Sequence, residues 1–214
     1  MKKWMKIILG IFGAIAFGIG VLVISFIISM KPDPDLEEKI TEQAEKYLEA
    51  NFNDNFKIYD TLYDNMGNFE FDYAAMVRDA QSQTEFLVYQ NPETKQLVDT
   101  FVSDKWSDDM ETEFRPYVTQ AFGDSAILRV FVEEKIGQKL NVEPLHPGSY
   151  KKYDVAPTVR LDIPRESEAG DEQLFTDFIS YLTEENKLQH GQLLVSYVAE
   201  TGELLEDEEW SREF

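Results

Sequence analysis

Between Lys6 and Lys31 the chain carries no charge: Ile7 to Met30 is a run of 24 residues, almost wholly apolar. About 20 apolar residues in a helix cross the hydrocarbon core of a bilayer. The run is longer than the usual signal-peptide core of about 7–15 residues, and Ile27-Ile28-Ser29-Met30 offers no Ala-x-Ala cleavage pattern. The sequence therefore predicts an uncleaved transmembrane anchor over residues 7–30, after a short cytoplasmic tip, 1–6.

Charge supplies the orientation. Lys2, Lys3 and Lys6 precede the run, Lys31 alone follows it, and acids begin at Asp33. The positive-inside bias puts the N-terminus inside, with residues 31–214 outside, and Trp4 suits the cytoplasmic headgroup interface. The formal charge of −21 is thus +4 on residues 1–31 and −25 on the other 183. Such an acidic body excludes a nucleic-acid binder, because phosphate recognition rests on Lys and Arg. Zero cysteine excludes disulfides, thiolate catalysis, zinc–thiolate sites and a lipid on cysteine. Gly10, Ala14 and Gly18 recur every four residues on one face of the anchor. They are candidate helix–helix contacts for a weak homodimer, although glycine is common in membrane helices anyway.

Pro32-Asp33-Pro34-Asp35 ends the anchor in a linker, 31–34, and Asp35 can cap the next helix. Leu36, Ile40, Ala44, Tyr47 and Leu48 predict that helix, amphipathic through Phe52. A short β-like run over 56–62, the alternation of Phe69, Phe71, Tyr73, Ala75 and Val77, and runs over 85–90 and 96–102 predict four strands. Helical spacing returns with Trp106, Met110, Phe114, Val118 and Phe122; Ser103 or Asp104 can cap it, Pro116 reads as a kink or break, and Gly123 ends it. Residues 35–122 thus read as a first α+β domain, with helices on an antiparallel sheet.

A second α+β domain is expected over 124–214. Ile127–Val132 fits a strand or a helix capped by Asp124. After a long irregular connection, Val159, Leu161 and Ile163 alternate as a strand, and Leu174, Phe175, Phe178, Ile179 and Leu182 form a helix stripe. Residues 192–199 and 203–205 flank Glu200-Thr201-Gly202 as a hairpin, and the tail from Glu206 is acidic.

The lysine-flanked anchor, Gln43-Ala44-Glu45-Lys46-Tyr47-Leu48, the Phe69–Val77 strand and Phe86-Leu87-Val88-Tyr89 together resemble the YfjL-like proteins over residues 1–122. These are membrane-anchored proteins of Gram-positive bacteria. The resemblance implies a cell-envelope location and no catalytic motif. The helix with its strand meander also looks like the small PepSY or cystatin-type modules, a likeness of layout alone.

Motifs for chemistry are sparse. Ser149-Tyr150-Lys151-Lys152 matches Ser-x-x-Lys, but Ser-Asp-Asn and Lys-Thr-Gly are missing. His146 and His190 lie at a turn and a helix-to-strand junction. No phosphate loop or dinucleotide glycine motif occurs, so no cofactor is expected. The acid clusters at 33–38, 104–113 and 206–209 could offer oxygen to calcium, but none fits an EF-hand loop; they read as solvated surface, and no metal is expected.

Residues 135–160 reverse the local charge: Lys135, Lys139, Lys151, Lys152 and Arg160 face Glu143 and Asp154, a net +3. Tyr150 and Tyr153 bracket Lys151 and Lys152, making a candidate contact for an anionic envelope partner or an acidic protein. The same lysines could instead fold back onto neighbouring acids. The sequence thus points to a membrane-anchored binding or sensing module that is not an enzyme. An anchored carboxylate hydrolase of wall or peptide substrates is the alternative, and a structural subunit of a membrane complex the third reading.

Overall fold

The computed structural model describes residues 3–53, 55–185, 188–199, 201–205 and 209–214. Lys2, Glu200 in the expected hairpin turn and Glu206–Glu208 of the acidic tail lie outside them. Helix α1, Lys3–Ser29, contains an apolar stretch, Gly10–Ile28, long enough to cross a membrane, and none of it is buried against protein. Phe17 and Leu22 are 75% and 71% exposed.

Helix α2, Pro34–Asn51, starts two residues earlier than expected: Asp33, not Asp35, caps it, its side chain accepting from Asp35 N at 3.0 Å. Pro34 at the first helical position has no N–H to leave unsatisfied. Ile40, Ala44 and Leu48 form its buried stripe. Strands β1 (Phe56–Tyr63), β2 (Tyr73–Asp79), β3 (Glu85–Gln90) and β4 (Leu97–Asp99) form an antiparallel meander in that order. Ala44, Leu48 and Phe52 pack on Ala75, Val77, Phe86 and Val88 of this sheet.

The strand expected from Phe69 begins only at Tyr73. Asp64 explains the shortening. Its carboxylate accepts from the backbone N–H groups of Met66, Gly67 and Phe69, at 3.0, 3.1 and 2.7 Å. Those donors are then committed to a loop rather than to a ladder.

Helix α3, Phe101–Phe122, runs unbroken through Pro116. The proline deprives the Thr112 carbonyl of its helical donor, but both residues are exposed and water can take that bond. Thr100 stands at its N-terminus and Ser103 lies inside it, so neither Ser103 nor Asp104 is the cap. Gly123 closes it at φ 92°, which an L side chain rarely adopts.

Strand β5 (Ile127–Phe131) settles the open reading of that segment as a strand. After it come a short helix α4 (Ile136–Lys139) and a 3₁₀ turn (Tyr150–Lys152). Strand β6 (Thr158–Ile163), helix α5 (Asp171–Ser180), strand β7 (Gln192–Tyr197) and strand β8 (Trp210–Glu213) complete the chain, and the second sheet runs β5-β6-β7-β8.

Two features of this sheet depart from the expected pattern. Strands β6 and β7 are parallel, with Val159 opposite Leu193, because α5 makes the crossover that returns the chain in the same direction. The closing strand is Trp210–Glu213, in the acidic tail, whereas within 203–205 only Leu204 makes a bridge, to Val198. Trp210 lies opposite Val195 and its ring sits 4.9 Å from Phe175, so burial of an aromatic outweighs the local acidity.

Helix α3 joins the two sheets. Phe101, its first residue, enters the core of the first sheet, with ring centroids 5.1 Å from both Phe56 and Phe86. From the next residue on, Val102, Trp106, Met110, Phe114, Val118 and Phe122 belong to the core beneath the second sheet, with Leu128, Val159, Leu161, Phe175, Phe178 and Leu193. The helix read from sequence with the first sheet thus gives its apolar stripe to the second.

Candidate functional site

The basic segment folds largely back on the acidic body. Lys151 Nζ bonds Glu113, and Tyr150, 2% exposed, donates its hydroxyl to the same carboxylate at 2.7 Å. Burial and Glu113 push the Tyr150 phenol far above its ordinary range, so it stays a donor. Tyr153 lies 5.0 Å from Trp106, whose indole N–H donates to Gly148 O at 3.0 Å. Lys135 bonds Glu70, Lys139 bonds Glu133, and Arg160 meets Asp162 at 3.2 Å and Glu209 at 3.3 Å. Lys152 is exposed and makes no ion pair among the described residues. Of the four residues singled out in this loop, one buries its ring, one sets its ring at a tilt against Trp106, one is paired, and Lys152 alone presents its charge to solvent.

Ser149 accepts from Lys151 N at 3.3 Å as the cap of the 3₁₀ turn, a structural use of the Ser-x-x-Lys serine. His146 and His190 are exposed; His190 Nε2 lies 3.2 Å from Asp154. The acids of α3 have partners: Asp108 accepts from Thr84 at 2.7 Å, Asp109 from Lys105, and Glu111 from Val130 N at 2.9 Å. Among the described residues no three His, Asp or Glu side chains gather as a metal would require. Gly10, Ala14 and Gly18 lie on the exposed surface of α1 with open space where a Cβ would stand at either glycine.

The chemically unusual place is one that the sequence pattern does not single out. A cleft of about 570 Å³ opens where β4 and the start of α3 meet α4 and the chain after it; Tyr47, Asp99, Val102, Glu134 and Asn141 are among its walls. Helix α4 closes against α3 because residue 137 is glycine: a Cβ there would stand 2.8 Å from Val102 Cβ. Asn141 at φ 53° turns the chain out of α4, and Val142 N reaches back to Gly137 O at 2.8 Å.

Three carboxylates of this region, Asp99, Glu134 and Asp104, are held toward the protonated form. Asp99 accepts from the Tyr47 hydroxyl at 2.6 Å and from Phe101 N at 3.0 Å, yet burial outweighs both bonds and raises its pKa. Glu134 is raised by desolvation and by Glu70, against Lys135. Asp104 is pushed up to about 7, mainly by burial, with Asp108, Glu134 and Asp99 adding repulsion. Its bond from Thr100 Oγ1, at 2.5 Å, only partly compensates; Thr100 Oγ1 in turn accepts from Leu87 N at 2.9 Å. The sequence hid these groups because 96–102 reads as a strand through Asp99, with no sign that the chain turns into a helix at Phe101 and buries that carboxylate. Asp104, by its neighbours in the chain, belongs to a solvated cluster.

No protein-family model matches the chain, and none of the curated proteins matches it.

Proposed function

We propose that the chain is a single-pass membrane-anchored protein of the bacterial cell envelope, N-terminus inside and residues 31–214 outside, acting as a binding or sensing module. The observation that carries the reading is α1. Its 19-residue apolar stretch is not buried within the fold, while the other described elements close around their own cores. An apolar helix that protein leaves unburied is satisfied by lipid. The charge division supports the orientation, and the sequence resemblance of residues 1–122 to YfjL-like proteins is what favours the envelope location.

The chain contains no cysteine, so single-cysteine variants report topology directly. In spheroplasts, Lys152→Cys reacts with a membrane-impermeant maleimide, and Lys2→Cys reacts only after permeabilisation. The reverse pattern, or release of the protein by alkaline carbonate, refutes the anchor or its orientation. For partner binding, Lys152 is the cation left exposed, so detergent-solubilised full-length Lys152→Glu loses an anionic partner that the wild type retains. Equal recovery by both forms removes this loop as the contact. Crosslinking of Gly10→Leu against wild type tests the anchor face for dimer formation.

The junction cleft favours a second reading, an anchored hydrolase using carboxylates. Asp99 and Glu134 line one cleft and both are held toward the protonated form, as a general acid requires. Loss of wall- or peptide-substrate turnover in both Asp99→Asn and Glu134→Gln supports it, and absence of turnover in the wild type disposes of it.

A further inference from the structure

The loop between β1 and β2 is built to hold apolar side chains outward. Asp64 is buried, and its carboxylate faces inward onto three backbone N–H groups of its own loop, the bond from Phe69 N being the main reason its pKa is lowered. Gly67, at φ 73°, completes the turn. Held this way, Met66 is 75% exposed and Phe69 39% exposed, with Phe69 stacked on the buried Phe71 at 5.0 Å. A thioether and a phenyl ring fixed outward by a rigid polar clamp are an unusual use of a loop tip, which is more often polar.

The position of the loop names what covers it. Asn65 donates to the backbone oxygen of Met30 at 3.3 Å, and Met30 continues the α1 ladder through a bond to Phe26 O at 3.0 Å. Met30 lies two residues beyond the apolar stretch ending at Ile28, which is about 3 Å of helix rise. A second tie fixes the same geometry: Tyr73 accepts from Asp33 N at 2.9 Å, and its ring stacks on Tyr63 at 4.8 Å. The loop is therefore within hydrogen-bond reach of the point where the helix leaves the apolar layer, a depth favoured by aromatic and amphipathic side chains. Its acids do not oppose the approach equally. Asp64 is turned inward and Glu70 is bound by Lys135 and Tyr89, which leaves Asp72 exposed.

We propose that this loop is a second membrane contact, with Met66 and Phe69 seated at the boundary between headgroups and acyl chains beside the anchor, so that the first sheet is held against the bilayer surface. The proposal rests on α1 being a membrane span, and the experiment separates the two. Met66→Cys, Phe17→Cys and Thr201→Cys are each made in the full-length cysteine-free chain, labelled with an environment-sensitive dye and reconstituted in phosphatidylcholine vesicles. Quenching by lipids carrying a nitroxide near the headgroup is compared with quenching by aqueous iodide. The Phe17 dye is shielded from iodide, and the Met66 dye is quenched by the shallow nitroxide and several-fold less by iodide than the Thr201 dye. A Met66 dye quenched by iodide as strongly as the Thr201 dye, with Phe17 still shielded, overturns the loop contact and leaves the anchor standing. A Phe17 dye open to iodide overturns both.

Discussion

Two carboxylates in this protein have opposite fates, and the difference lies in who faces them. Asp171 is 5% exposed, but Arg165 grips both its oxygens at 2.7 and 2.8 Å, and Tyr197 and Glu168 N add bonds at 2.7 and 2.9 Å. The guanidinium, first among these, holds its pKa down to about 2. This group stabilises the fold above its unfolded pKa near 3.8 and loses that contribution as pH falls toward 2. Arg165→Leu strands a buried charge and costs about 3–5 kcal/mol at neutral pH. Adding Asp171→Asn recovers part of that loss, as urea denaturation of the single and double variants measures. Among the described residues no ion pair reaches Asp104, which sits near Asp99, Asp108 and Glu134. Its pKa is raised, so its contribution is intact below 3.8 and disappears as pH rises through about 7. Asp104→Asn therefore raises Tm more at about pH 8 than at about pH 5. Equal gains at both pH values contradict a raised Asp104.

At the level of elements, close approach and edge protection matter most. Helix α4 sits on α3 only because Gly137 lacks a side chain, and its obstacle, Val102 Cβ, is the root of that side chain and cannot rotate away. Gly137→Ala therefore destabilises by about 1–3 kcal/mol, read from the denaturation midpoint. Strand β5 is an edge of the second sheet. Helix α3 covers that edge with side chains: Glu111 accepts from Val130 N at 2.9 Å and Arg115 donates to Leu128 O at 3.3 Å. Bare edge N–H and C=O groups template pairing between chains, and the exposed Ile127 and Phe131 would strengthen it. Glu111→Ala thus increases self-association in sedimentation, whereas Thr112→Ala, at the exposed neighbouring position, leaves the sedimentation unchanged. Strands β1 to β4, β6 and β7, with α2, α3 and α5, were legible from apolar spacing, and β5 was left open between strand and helix. The Asp64 loop, the parallel pair and β8 were not, because each depends on tertiary contacts: captured N–H groups, a crossover, and Trp210 against Phe175.

For the molecule as a whole, α3 makes the two sheets one mechanical object. Phe101 belongs to one core and Trp106, 0% exposed, to the other. Phe101→Ala and Trp106→Ala each cost about 3–5 kcal/mol and lower the unfolding temperature reported from either sheet. A Phe101→Ala variant whose second sheet melts as in wild type contradicts this coupling. The charge of −25 beyond residue 31 repels itself. Raising salt from about 0.01 M to about 1 M shortens the screening length from about 30 Å to about 3 Å, which relieves that repulsion and favours a higher Tm. The ion pairs of the basic segment are partly exposed and weaken over the same range, and the observed slope is their difference.

Sequence alone determined the apolar N-terminal helix, the division of charge around it, the mixture of helix and strand, and the stripes that become cores. Each is a local or compositional property, readable without knowing what meets what. Only the tertiary structure decided which sheet receives α3, that the basic segment neutralises acids and leaves Lys152 exposed, that Asp99 and Asp104 are desolvated while Asp171 is clamped, and that Met66 stands beside the end of α1. Those outcomes depend on which groups become neighbours through folding, and a carboxylate's behaviour follows from its neighbours rather than from its place in the chain.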